Sequence, residues 1–248
     1  MSYIFITGAS SGLGEATAKL ASEKYDLILN GRDGERLSKV GEECSHGGKN
    51  ILLFPYDLSN IDPLSMSLCD FIKKNDIKVQ AFIHFAGITE VLPISKTKYK
   101  IGLEVMNVNY FSATEIISTL LKKRINGENL ENIILVSSLA ASFGTTHQPH
   151  YCASKGAVEA LTRALARDLA PKVRVNAVTP GNFQTRMWNT PLNDGDLGAW
   201  NPATLLPPGE PSEVASVVNF LLSKDSSYLT GINIPVDGGE RFNIGKYH

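Results

Sequence analysis

At 248 residues, with 43% apolar and 20% charged side chains, the chain has the material for one sizeable core. A net charge of −1 offers neither nucleic acid nor an anionic membrane an electrostatic handle, and no apolar run approaches the ~20 residues that span a bilayer. Cys44, Cys69 and Cys152 form no CxxC pair, so nothing points to a disulfide framework or a zinc site; reduced thiols in a cytoplasmic protein are the plain expectation.

Short apolar runs alternate with helical patterns along the whole chain. Residues 3–7 read as a strand and 13–23 as a helix, then 26–30 as a strand and 34–44 as a helix. Strands follow at 51–56, 79–85, 132–137 and 173–178, with helices at 63–74, roughly 99–125, and 151–169. A helix at 211–222 and a strand at 233–236 close the series. The strands are continuous in Ile, Val, Leu and Phe, which suits strands buried on both faces of a parallel sheet. The βαβ alternation predicts an α/β fold, doubly wound, as a single domain over residues 1–248. Residues 182–208 interrupt the alternation with four prolines and two tryptophans, and read as a loop covering a substrate. Phe183, Met187, Trp188, Leu197 and Trp200 are its candidate apolar wall. The basic clusters 96–100 and 122–124 read as solvated surface.

The stretch ITGASSGLG (residues 6–14) lies between the first strand and the first helix. A helix N-terminus presents unpaired N–H groups and partial positive charge, so it receives phosphate. Glycine allows a sharp turn and a close ligand approach. The spacing of Gly8, Gly12 and Gly14 is neither GxGxxG nor a P-loop. Gly8, Ser10, Ser11, Gly12, Leu13 and Gly14 are the candidate cofactor-binding residues of this turn. The second strand ends Asn30-Gly31-Arg32, with glycine where a carboxylate would bind a ribose 2′-hydroxyl. Arg32 suits a 2′-phosphate, so NADP(H) is favoured over NAD(H), although Asp33 stands next to it.

Tyr151 and Lys155 share one face of a predicted helix, and no other tyrosine has lysine at that offset. An ammonium near a phenol favours the phenolate and lowers a pKa of about 10. Ser138, at the end of the strand 132–137, is positioned to hydrogen-bond a substrate oxygen, with Ser137 the weaker candidate.

These residues resemble the short-chain dehydrogenase/reductase family over nearly the whole chain. Thr7-Gly8-x3-Gly12-x-Gly14 is similar to its cofactor turn, and Asp57-Leu58 to the acidic position that meets adenine. Asn109, Ser138, Tyr151 and Lys155 match its catalytic set. Ala86-Gly87, the Pro180-Gly181 motif with Thr185, and the VDGG of residues 236–239 match further stations. The resemblance implies a seven-stranded parallel sheet and a hydride-transferring oxidoreductase that interconverts a carbonyl and an alcohol. It implies Tyr151 as acid or base, and Lys155 on the nicotinamide ribose and lowering the tyrosine pKa. Ser138 would orient the carbonyl, and Asn109 would hold a water linked to Lys155. It also implies a homotetramer or homodimer built on the helices 99–125 and 151–169, where Ala153, Gly156, Ala157 and Ala160 permit close packing. The departure is His84-Phe85 in place of the usual Asn-Asn, and His84 reads as structural. His147 and His150 read as loop histidines, and no cluster suggests a metal. The competing reading from another class is a dinucleotide-binding sensor or scaffold without turnover; four intact catalytic positions argue against it.

Overall fold

The computed structural model describes residues 2–183, 204–207 and 209–242. Seven parallel strands are arranged in the order β3-β2-β1-β4-β5-β6-β7. They are β1 (Ser2–Thr7), β2 (Asp26–Gly31), β3 (Ile51–Pro55), β4 (Lys78–His84), β5 (Asn132–Val136), β6 (Arg174–Pro180) and β7 (Asn233–Val236). Successive side chains leave a strand on opposite faces. Tyr3 and Phe5 of β1 therefore enter one core layer, and Ile4 and Ile6 enter the other. Ile133 and Leu135 of β5 divide from Ile134 and Val136 in the same way. This is why the strands read as unbroken apolar runs.

One layer is closed by α3 (Leu64–Lys74), α5 (Ser112–Leu120) and α8 (Pro149–Asp168), through Leu68, Ile72, Ile116 and Val158. The other is closed by α1 (Gly12–Ala21), α2 (Gly34–Ser45) and α9 (Pro211–Leu222), through Ala18, Leu37, Val40, Val214 and Val218. Strand order reverses between β1 and β4, and a crevice opens at the carboxyl ends of strands at such a point.

The segment expected as one helix over 99–125 is broken in three places. It consists of α4 (Tyr99–Met106), a π turn (Asn107–Phe111), α5 and a short α6 (Lys123–Asn126). In the π turn Ser112 N–H reaches Asn107 O, five residues back. The extra residue re-aims the side chains at 107–111, as such insertions do at functional sites. Elements absent from the sequence reading are α7 (Ala140–Phe143) and 3₁₀ turns at Ile94–Lys96, Lys224–Ser226 and Glu240–Phe242. A second irregular stretch, residues 85–93, also escapes it. Of the proposed covering loop, only residues 182–183 and 204–207 are described; Phe183 is buried, and Met187, Trp188, Leu197 and Trp200 lie outside the described residues.

His84 is fully buried and bonds across three elements. Its Nε2 donates to Val108 O (3.1 Å), which can only accept, so Nδ1 is the bare nitrogen and accepts from Thr7 Oγ1 (2.9 Å). Thr7 Oγ1 in turn accepts from Ala86 N–H (3.3 Å). The imidazole thus ties β1, β4 and the π turn together, in keeping with a structural role. Burial, with Lys155 as the second cause, lowers its pKa from 6.5 to about 3. The unfolded chain takes up this proton near pH 6.5, the folded chain only near 3. The stability is therefore complete above about pH 6.5 and is lost as pH falls toward 3. Urea melts should show the native chain losing on the order of a few kcal/mol more than His84→Asn between pH 7 and pH 4. Parallel pH profiles for the two proteins would contradict this.

Candidate active site

The glycine turn is held open by steric necessity. Gly8 has φ +65°, and a Cβ there would come within 2.6 Å of Ala86 N. A Cβ on Gly14 would collide with the Gly8 carbonyl oxygen. β1 and β4 thus end in backbone-to-backbone contact. Ser11 caps α1 with no side-chain bond. The first-turn N–H groups of Gly12, Leu13 and Gly14 accordingly have no intrahelical partner and face the crevice end of the sheet. This cradle fits a dinucleotide phosphate.

At the end of β2, a Cβ on Gly31 would meet Ser10 Oγ at 2.8 Å. Asp33 caps α2, accepting from Arg36 N (3.1 Å), and its carboxylate is paired with the Arg36 guanidinium. Those bonds, the backbone one first, hold its pKa below the ordinary value. Arg32 is exposed and without an ion-pair partner among the described residues. After β3, Asp57 is exposed and accepts from Ser59 N–H (2.9 Å), whereas the Leu58 side chain is buried in the core.

Tyr151 and Lys155 lie in the first two turns of α8, with Lys155 Nζ 5.7 Å from the phenol ring centroid. Lys155 is 4% exposed and donates to Val136 O at the end of β5 (2.8 Å). Burial lowers its pKa from 10.5 to about 8. The buried ammonium costs stability below pH 8, and that cost is relieved as pH rises from 8 toward 10.5. Burial raises the Tyr151 phenol above its ordinary 10, and a hydrogen bond with Ser138 only partly offsets it. The lowering expected from the ammonium does not appear: Nζ turns to the Val136 carbonyl, and desolvation of the phenolate sets the direction.

Ser138 Oγ also accepts from Ala140 N–H (3.2 Å). Ser137 Oγ points elsewhere, lying 3.2 Å from Lys155 O and 3.1 Å from Glu159 Oε1. Asn109 sits in the π turn and is fully buried. Its Oδ1 accepts from Ile88 N–H (2.8 Å), and its Nδ2 donates to Ile88 O (3.0 Å) and Ser154 Oγ (2.9 Å). A Cβ on Gly87 would stand 3.5 Å from both Asn109 Oδ1 and Lys155 Nζ, which brings the β4 turn, the π turn and α8 to one point. Gly181 N–H donates to Val236 O (3.0 Å), and Pro180 O accepts from Leu139 N–H (3.4 Å). Thr185 lies outside the described residues.

Two buried carboxylates were not among the sequence candidates. Glu240 accepts from Asn182 N–H (2.8 Å) and from the Asn182 amide, pinning the chain just after Gly181. Glu90 meets the start of α8. Their partners lie 58 and 60 residues away, so no local pattern announces them. His147 is exposed at φ +63°; His150 packs its ring on Gly102, with Nε2 buried and unpartnered. No group of three metal-ligating side chains occurs among the described residues, and no helix there is long and apolar enough to cross a membrane.

A doubly wound sheet with a glycine cradle and a Tyr–Lys helix at its switch point belongs to the class of dinucleotide-dependent oxidoreductases. Residues 8–240 match the family described as Enoyl-(Acyl carrier protein) reductase. The 3-oxoacyl-(acyl-carrier-protein) reductase of Thermotoga maritima is 32% identical over 239 residues, covering 94% of this chain and 95% of that protein. The glucose 1-dehydrogenase of Gluconobacter oxydans is 32% identical over 246 residues, covering 95% and 90%. A short-chain type dehydrogenase/reductase from Mycobacterium ulcerans superposes with TM-score 0.84 at 26% identity, over 97% of this chain and 90% of that one. The chain belongs to the short-chain dehydrogenase/reductase family. It is an NAD(P)-dependent oxidoreductase acting between carbonyl and alcohol.

Gly8→Ala should lower stability by about 2 kcal/mol or more, through left-handed strain and the clash with Ala86. It should also weaken NAD(P)H binding. Gly34→Ala, where a Cβ meets nothing within 4 Å, should do neither. Urea melts and fluorescence titration with NADPH check both; equal behaviour of the two variants would contradict the cradle.

Proposed function

We propose that the protein is an NADP(H)-dependent enzyme that interconverts a carbonyl and a secondary alcohol, with Tyr151 as the acid/base group. The observation that carries this reading is the convergence at the end of β5: Tyr151 beside Ser138, with the Lys155 cation buried next to the phenol ring. Gly8, Ser10, Ser11, Gly12, Leu13 and Gly14 would hold the pyrophosphate. Arg32 would meet the 2′-phosphate, Asp57 and Leu58 the adenine side, and Ala86, Gly87, Pro180, Gly181 and Thr185 the nicotinamide half. The bound dinucleotide supplies or accepts the hydride.

In reduction, Ser138 and Tyr151 bind the substrate oxygen, and Tyr151 Oη passes its proton to that oxygen as negative charge develops there. Burial suits this step, because a raised pKa keeps the phenol protonated at neutral pH. The Lys155 charge then stabilises the phenolate left behind. In oxidation the ionised Tyr151 oxygen, stabilised by the Lys155 charge, works as the base that takes the alcohol proton. Asn109 fixes Ile88 and Ser154 around Lys155, and a water on this network would return the proton.

Preference for NADP(H) is supported by three features at β2. Ser10 fills the space a carboxylate at 31 would need, Arg36 neutralises Asp33, and Arg32 has no ion-pair partner among the described residues. Assembly as a homodimer or homotetramer is supported by exposed Tyr99, Leu103 and Phe111, and by open space over Gly156 on α8.

Tyr151→Phe should lower kcat about 10²–10⁴-fold with NADPH binding retained. Ser138→Ala should lower it about 10²-fold, while Ser137→Ala leaves it within a few-fold. A carbonyl panel followed at the NADPH absorbance checks this; near-normal turnover by Tyr151→Phe would overturn the acid/base role. Separately, Arg32→Asp should cut the NADPH over NADH preference in kcat/KM roughly ten- to hundredfold, the value of a charge-assisted phosphate contact. An unchanged ratio would remove Arg32 from phosphate recognition.

A further inference from the structure

The helix that carries Tyr151 begins without a cap of its own. Gln148, at the N-cap position, makes no side-chain bond to the first turn, and Pro149 has no N–H to offer. His150 and Tyr151 are then left with the outward-facing N–H groups of that turn. Both are taken by Glu90, from the irregular stretch after β4. Its Oε1 accepts from His150 N–H at 2.5 Å, and its Oε2 accepts from Tyr151 N–H at 3.1 Å. Glu90 is only 6% exposed, so the contact is a buried, charge-assisted one on the positive end of the helix.

The stretch that brings Glu90 there is itself tied down on both sides. Two residues earlier, Ile88 is held through N–H and O by the Asn109 side chain. Two residues later, Leu92 N–H donates to His147 O (2.7 Å), on the approach to α8. Asn109 reaches α8 as well, at Ser154, whose hydroxyl donates to Tyr151 O (2.8 Å). The peptide of Tyr151 is therefore gripped at its N–H by Glu90 and at its C=O through Ser154. The phenol hangs from a backbone unit fixed at both polar ends.

We propose that Glu90 is a positioning residue for catalysis: its carboxylate, acting as an N-cap supplied from outside the helix, sets the placement of the Tyr151 hydroxyl. The proposal rests on Tyr151 being the acid/base group. A cap that only stabilised the fold would change Tm; a cap that places the phenol changes kcat at constant cofactor affinity. Small displacements of a reacting group are costly: about 1 Å can remove ~10²-fold in rate.

The test compares wild type, Glu90→Ala, Glu90→Gln, Glu90→Ala/Gln148→Asp and Tyr151→Phe. For each, kcat and KM are measured with the best carbonyl substrate of the panel, alongside the NADPH Kd and thermal unfolding. We expect Glu90→Ala to lower kcat roughly ten- to hundredfold, with NADPH Kd within about twofold. Glu90→Gln keeps one acceptor oxygen and should fall between. Gln148→Asp supplies a local cap and should recover most of the lost kcat in the double variant. Glu90→Ala or, should that variant fail to fold, Glu90→Gln with kcat equal to wild type while Tyr151→Phe is inactive would overturn the proposal. So would a double variant that regains Tm without regaining kcat. Turnover by Tyr151→Phe at the wild-type rate would instead remove the acid/base reading itself, so the two failures are told apart.

Discussion

The arrangement depends on one cation taken out of water. Lys155 is buried at the carboxyl end of β5, and its ammonium donates a hydrogen bond to the Val136 carbonyl. Burying a charge is expensive unless it is bonded, and here the cost appears as a pKa lowered to about 8. Its neighbours are arranged around that charge. His84 stays neutral, because a second buried cation would be repelled as well as desolvated. Gly87 has no side chain to crowd the ammonium, and Asn109 brings an uncharged amide beside it. A phenol one helical turn away completes the set.

The parallel sheet makes this convergence affordable in structural terms. Every strand ends on the same edge, so the turns after β1, β4 and β5, from distant parts of the chain, come together beside the point where strand order reverses. The polar groups exposed by those turns are then tied to each other. Thr7, His84 and Val108 link β1 to the π turn, Asn109 links the π turn to α8, and Glu240 links the chain end to the turn after β6. Such fully bonded networks are rigid, which is what a reacting group needs from its surroundings.

Much of this was legible in the chain itself. Strands buried on both faces leave unbroken apolar runs, and all seven emerge within a residue or two of their expected bounds. The glycine turn, Ser138, Tyr151 and Lys155 stand at one edge because strand ends and helix starts are local features. What was hidden is of two kinds. The π turn at Asn107–Phe111 keeps a helical pattern of side chains, so the segment reads as one continuous helix. Glu90 and Glu240 act on backbone N–H groups about sixty residues away, and a carboxylate bound to a remote peptide looks in sequence like any surface acid. The pKa of Tyr151 was also out of reach: spacing reveals a nearby cation, but only the fold shows the phenol buried and its pKa raised by desolvation.

The measurement that bears most directly on the buried cation is its own titration. Lysine labelled with ¹³C at Cε, with the Lys155 resonance assigned by its loss in Lys155→Met, reports the ε-amine by NMR across pH 6 to 11. A midpoint near 8 is the expected result. A midpoint at the ordinary value of 10.5 would mean that the ammonium is solvated, and the account built on its burial would fail.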